Sequence, residues 1–461
     1  MRKVLLGFYL LFLGYNSHAQ ELDTLRFEVF MKWVESFHPM ASQAEIYLGM
    51  GEMEVRKARG GFDPLLYGTI DQKDFSEKTY YDKREAGLKI PTVAGIELNG
   101  AFEQNSGQFL NPENSVPSGG LLAAGASLNL GQGLILDERR AALRQAQLYQ
   151  QSTESERVKL LNELYLKGYE AYWNWSLAFS NLLVLQEGYK LTLNRYEGVR
   201  QSFFQGDLAA IDTVEAFSQL LNRQYKLQSA ENAYFKATQE LNSYLWNEGG
   251  EPMVLDQEIL PQVLGEIGAS SLDFEALRTS VGNHPELIIA DYELAGLGIE
   301  KKLKAQSLLP VVKLKYNFLV EDLGGFGSAP FFENNYKWGI SAYTPLLWRK
   351  ARGSVALANA KIDFKQNSRD LKELQLRTKL ESELNSWEVL SKQVNVFKRN
   401  VDNLDRLLDG ELRKFEIGES SLFLVNAREV SVLDSRITLN ELLAKQKLAF
   451  GKARFAAGLG F

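Results

Sequence analysis

The chain repeats itself, and the repeat limits what it can fold into. His38-Pro39 recurs as His284-Pro285, and each pair opens a helical pattern that ends near a second proline 25 residues on, Pro64 and Pro310. Gly131 and Pro345 each stand 15 residues before an alanine of the next helix, Ala146 and Ala360. Gly206 and Gly418 form a third pair, 60 residues after Ala146 and 58 after Ala360. The interval from second proline to anchor does not match, at 67 residues against 35. Two copies of one supersecondary unit therefore share a helical frame and differ between their first two helices.

That differing segment has the character of strands. Val312, Leu314, Tyr316, Phe318 and Val320 alternate with Lys313, Lys315 and Asn317; Tyr336, Trp338, Ile340 and Ala342 alternate with Lys337, Gly339 and Ser341. A period of two suits a strand with lipid on one face and water on the other. The apolar set, including Trp338 and Ile340, is expected to face lipid, and Lys313, Lys315 and Lys337 the lumen. In the first half, Leu122, Ala124, Ala126, Leu128 and Leu130 alternate with small and polar residues, partnered by Ile96, Leu98 and Phe102. Residues 106–117 and 321–335 carry the Gly, Asn and Pro of hairpin tips. Residues 65–91 alternate poorly and receive no assignment.

The helices predicted around these strands are long. Residues 137–204 and 350–415 contain no proline, and at 1.5 Å per residue each would reach roughly 100 Å. Leu161, Tyr165, Gly168, Tyr172, Trp175, Phe179 and Leu182 alternate steps of four and three, as do Leu390, Val394, Phe397, Val401, Leu404 and Leu408. Such seams pack helices as in coiled coils. Shorter helices over 39–60 and 209–247 together match one long helix in length. They would stack end to end beside it in a rod-like bundle, with Gly206 and Gly418 as turns at the far tip. The organisation read from these signals is a leader over 1–19, a first repeat over 20–247, a linker over 248–272 with a short helix starting at Phe274, and a second repeat over 273–461.

Composition removes other classes. Arg2-Lys3, an apolar stretch over 4–14 and Ser17-His18-Ala19 form a secretory leader. The 52 Lys and Arg against 58 Asp and Glu give a net charge of −6, without basic clusters, which argues against nucleic acid. There is no cysteine and there are 3 histidines, so thiolate and histidine metal sites are not expected, and no cofactor motif is present. His38 and His284 read as helix starts ahead of proline. Asp137-Glu138-Arg139-Arg140 reads as a helix N-terminus, and Gly324-Gly325-Phe326-Gly327 as a loop tip. Trp338, Tyr336 and Trp348 suit an aromatic girdle. No apolar run reaches 18 residues, so any membrane crossing must be a closed β-barrel.

Several of these anchors resemble the TolC-like outer membrane efflux proteins. They are Asn283-His284-Pro285-Glu286-Leu287 with Ala290 and Leu308-Leu309-Pro310, Tyr343-Thr344-Pro345-Leu346-Leu347, Gly418-Glu419-Ser420-Ser421-Leu422 with Ala427-Arg428-Glu429, and the ending from Ala449 to Gly458. The resemblance implies a mainly α protein with membrane β. A helical tunnel would cross the periplasm, and a transmembrane barrel would be shared by a homotrimer, four strands from each protomer making twelve. It implies a passive exit channel in the outer membrane of a Gram-negative cell, not an enzyme, working with a periplasmic adaptor and an inner-membrane pump. A structural coiled-coil protein of the envelope is the other reading.

In such a trimer the tip would be the gate. Asp212 and Glu215, six and nine residues past Gly206, share a helix face. Three copies would place a ring of acids at a pore entrance, attracting cations. The resemblance supports an acid at the Asp212 offset; the second half carries Leu424 there instead.

Overall fold

A computed structural model describes residues 24–256, 258–266, 271–321 and 335–460. The expected leader, the Gly324–Gly327 loop motif and most of the second hairpin tip lie outside the described residues. In chain order the structure runs β1 (Thr24–Leu25), α1 (Phe27–Phe37), α2 (Pro39–Arg59), β2 (Leu65–Phe75), β3 (Lys78–Pro91), β4 (Ile96–Ser106), β5 (Leu121–Asn129), α3 (Glu138–Gln205) and α4 (Ala210–Asn242). It continues with β6 (Leu260–Pro261), α5 (Phe274–Ser280), α6 (Pro285–Gln306), β7 (Val311–Val320), β8 (Tyr336–Tyr343), α7 (Arg349–Glu416) and α8 (Leu422–Ala456). The long helices α3 and α7 are 68 residues each, about 100 Å of helix. No described helix is long and apolar enough to cross a membrane.

The duplication reappears in local geometry. Pro39 and Pro285 each occupy the first helical position behind a histidine. The Nδ1 of His38 accepts the Met40 N–H at 3.1 Å, which serves one of the free donors at that helix start. At the two tips the turns match bond for bond. Gly206 and Gly418 both have positive φ, 86° and 79°. Asp207 N–H returns to Ser202 at 3.0 Å and Glu419 N–H to Lys414 at 2.8 Å, the six-to-one closure of a helix ended by a left-handed glycine.

The chain divides into two compact units, and each takes segments from both sequence halves. In the unit of Met1–Glu45, Val158–His284 and Glu373–Phe461, the middle of α3 carries an aromatic core. Tyr172 and Trp175 are fully buried, with Phe30 and Val34 of α1 and Leu241 of α4. The segment joining the repeats is tied to it: Tyr172 Oη donates to Leu25 O at 2.7 Å, Ser176 Oγ to Gln262 O at 2.6 Å, and β1 pairs in parallel with β6. Helix α1 was not expected, although Phe27, Phe30, Met31 and Val34 carry helical spacing. Helix α4 stops at Asn242, not 247, because Ser243, Tyr244 and Leu245 close successive tight turns.

In the unit of Ile46–Arg157 and Pro285–Lys372, α6 lies antiparallel to the start of α7. A ladder of ion pairs links them: Lys361–Glu300, Lys365–Glu293, Arg369–Asp291 and Lys372–Glu286. Exposed pairs of this kind add little stability, but four in sequence fix the register of two helices. The same unit contains one antiparallel sheet of six strands, in the order β2-β3-β4-β5-β7-β8. The four strands expected from alternation are present. The four-strand count implied by the resemblance is not: the unassigned 65–91 form a further hairpin, β2–β3, bonded to β4 over ten residue pairs.

Candidate functional site: a two-faced sheet and two glycine turns

Directly paired residues in an antiparallel sheet share a face, so the register sorts the side chains. One face carries Val312, Leu314, Tyr316, Phe318 and Val320 of β7, opposite Ala342, Ile340, Trp338 and Tyr336 of β8. On β5 and β4 it continues through Leu122, Ala124, Ala126, Leu128 and Ile96, Leu98, Gly100, Phe102. It extends onto the unexpected hairpin through Ile90, Leu88, Ala86 and then Leu66, Gly68, Ile70. Much of it is open to the surroundings: Trp338 is 60% exposed, Ile340 58% and Ile70 75%. Six strands from both halves thus build a continuous apolar surface. Tyr316 stacks on Tyr336 at 5.9 Å and meets Phe318 edge-on at 5.0 Å.

The opposite face is polar. Lys313, Lys315 and Lys337 lie on it with Asn317, Ser127, Asn129, Asn99, Glu97, Glu103, Glu85, Lys89, Lys83 and Asp71. Lys83 pairs with Asp71 at 3.4 Å, and Tyr67 donates to Glu85 at 2.6 Å. Leu65, Leu121, Val311 and Tyr343 on this face are terminal residues of their strands, and Ala101, Ala123 and Leu319 form one apolar row within it.

Where strand meets helix, the charged cluster is structural. Asp137 accepts the Arg140 N–H at 2.9 Å, and its carboxylate pairs with the Arg140 guanidinium at 3.2 Å. That guanidinium also donates to the carbonyls of Gly133 and Leu134. Arg139 reaches Glu97 at 3.6 Å. Trp348, on the way into α7, has a positive φ of 45°, uncommon for a bulky residue.

At the glycine turns, Asp212 accepts the Ala209 N–H at 3.1 Å from the third position of α4. In the second half the same closure runs the other way: Ser421 accepts the Leu424 N–H at 3.4 Å. Each half uses one arm of a capping box, which is why Leu424 can stand where the first half has an acid. Glu215 accepts from Asn426 at 3.3 Å. Asn426 in turn accepts from Arg195 at 3.2 Å, and Arg195 forms a two-pronged pair with Glu429, 5% exposed. Beside them Arg223 is 4% exposed. Nothing in the sequence flagged this network, because charged residues at helical spacing read as a solvated face.

No protein-family model and no curated relative matches the chain. Solved structures do. The Campylobacter jejuni CmeC outer membrane channel matches at a TM-score of 0.67 and 14% identity, over 94% of this chain and 86% of that one. The outer membrane protein VceC from Vibrio cholerae matches at 0.67 and 14%, over 94% and 96%. The open state of the Neisseria gonorrhoeae MtrE outer membrane channel matches at 0.66 and 13%, over 96% and 94%. Each match spans the helices and the sheet together, and the chain has the fold of the TolC-like outer membrane channels.

Proposed function

We propose that this protein is the outer-membrane exit channel of a tripartite efflux or type I secretion system in a Gram-negative bacterium. It is a passive conduit that crosses the outer membrane and extends into the periplasm as a homotrimer. The observation that carries this reading is the sheet, with an apolar band that crosses all six strands on one face and a mainly polar opposite face. An open sheet cannot stay in lipid with bare edges, so the apolar face meets the bilayer only once other copies close the ring. In that ring Val312, Leu314, Tyr316, Phe318, Val320, Trp338 and Ile340 face lipid, and Lys313, Lys315 and Lys337 face the water-filled lumen.

The helices supply the periplasmic conduit, and the turns at Gly206 and Gly418 form its inner end, where an adaptor protein and an inner-membrane pump dock. Asp212 and Glu215 stand at that entrance and set its preference for cations. Energy and direction come from the pump, and the protein performs no catalysis. The test is fractionation followed by reconstitution. The expected result is a heat-modifiable trimer in the outer membrane that conducts ions in a planar bilayer. A soluble, monodisperse monomer would refute the channel and favour a structural envelope protein.

A further inference from the structure

The sheet has two edges without a strand beside them among the described residues, β2 and β8. Its strands are also staggered in one direction. One row of paired residues runs Leu65, Lys89, Asn99, Gly125, Asn317, Lys337. Leu65 is the first residue of β2. Below that row, β3 continues two residues to Pro91, β4 begins three residues earlier at Ile96, and β5 continues four to Asn129. Strand β7 begins six residues earlier at Val311, and β8 continues six to Tyr343. The helix-side ends therefore descend steadily across the sheet. Six residues at ~3.3 Å, over the five strand spacings of ~4.8 Å from β2 to β8, is a tilt of about 40°. That is the tilt at which strands close into a membrane barrel, roughly 35–45°.

We infer that three copies close an eighteen-stranded barrel in which β8 of each pairs with β2 of the next. The inference rests on the channel reading above. The two edges fit each other in three respects. They run antiparallel, since β2 leaves the helices and β8 returns to them, so the alternation continues around the ring. With the helix-side ends level, Tyr343 stands opposite Leu65, and all eight residues of β8 face the first eight of β2. This register also keeps both faces intact. Trp338 meets Ile70 and Ala342 meets Leu66 on the apolar side, while Gly339 meets Thr69 and Lys337 meets Asp71 on the polar side. A slip of one residue would turn every side chain of the seam to the wrong face.

The consequence is a wider bore. Eighteen strands at this tilt enclose about 36 Å between backbones, against about 24 Å for twelve. The hairpin β2–β3 is the source of the difference, and its Leu66, Ile70, Ala86, Leu88 and Ile90 continue the apolar band.

Paired cysteines test the seam, because the chain has none of its own. Thr69→Cys with Gly339→Cys, on oxidation of the detergent-purified trimer, should give covalent dimers and trimers on a denaturing gel, and neither single variant should. Asp71→Cys with Lys337→Cys probes the same register at a second row. If the protein is a trimer by light scattering but neither pair crosslinks, the eighteen-stranded ring is wrong and the channel reading stands. Crosslinking of Ala101→Cys with Gly339→Cys would then identify a twelve-stranded ring that bypasses the hairpin. A monomer with no crosslinks removes both readings.

Discussion

Asn99 and Asn317 hydrogen-bond to each other, Nδ2 to Oδ1 at 2.9 Å, across a strand that separates them. The residue between them is Gly125, paired to both. With no side chain there, β4 of the first half and β7 of the second join side chains over β5. The contact belongs to neither repeat alone.

Gly125 should therefore tolerate nothing larger. A Cβ there would come within 1.9 Å of the Tyr316 carbonyl oxygen and 2.5 Å of Asn317 Oδ1. Gly125→Val should cost about 1–3 kcal/mol or more through overpacking, read as a lower thermal midpoint and reduced trimer yield. Gly100→Ala on β4, where a Cβ meets only a carbonyl at 3.9 Å, should be close to neutral. Equal behaviour of the two would contradict the close approach.

Phe318 and Lys315 lie on opposite faces of β7. Phe318→Arg should weaken membrane assembly by roughly 2–4 kcal/mol if the residue sits near the bilayer midplane. Lys315→Gln should assemble normally. The amount of heat-modifiable oligomer in outer-membrane fractions measures both, and reversed outcomes would invert the assignment of faces.

Glu429 holds Arg195 in a buried site beside Arg223. Glu429→Ala leaves two guanidinium groups without that carboxylate and should cost about 3–5 kcal/mol. Glu388→Ala breaks an exposed pair with Lys392 and should leave the melting temperature nearly unchanged. A mild effect at Glu429 would mean that water already enters the network.

Burial holds the His38 imidazole below the ordinary histidine value of 6.5, against the weaker opposing effect of a backbone hydrogen bond at Ser243. The unfolded chain therefore binds this proton more readily than the folded one. The stabilising contribution is complete above pH 6.5 and is lost as pH falls below it. Asn also serves as a helix N-cap, so His38→Asn should keep the helix start and flatten this part of the profile. Thermal midpoints of both proteins at pH 7.5 and 5.5 decide it; parallel curves would assign the acid sensitivity elsewhere.

The entrance role of Asp212 and Glu215 can be separated from capping. Asn at 212 can still accept the Ala209 N–H, so Asp212→Asn with Glu215→Gln removes charge and keeps the turn. The double variant should lose cation preference and divalent block in single-channel recordings. Unchanged reversal potential and block would reduce both residues to their local hydrogen bonds.

Much of this architecture could be read from residue spacing. The duplicated prolines placed the starts of α2 and α6, the spacing placed α3 and α7 within a residue of their ends, and alternation located β4, β5, β7 and β8, while α6 stops at Gln306, four residues short of Pro310. The hairpin β2–β3 escaped because its strands outrun the apolar band. Toward their outer ends Gln72, Asp82 and Arg84 stand on the face that carries Leu66 and Leu88 below, so alternation holds for only half of each strand. The Arg195–Glu429 network and the Asn99–Asn317 bond escaped for another reason. Both join residues more than 200 positions apart, and nothing local in a helix or strand encodes which distant side chain completes it.

A seam in which every copy gives β8 to one neighbour and receives β8 from the other on its β2 edge has a genetic consequence. One subunit with a ruined β2 opens the whole ring, however sound its companions are. Where such an allele is expressed equally with the normal one and subunits mix at random, only about one assembly in eight contains three sound copies. An edge defect should therefore be dominant, whereas a chain that never folds should be recessive.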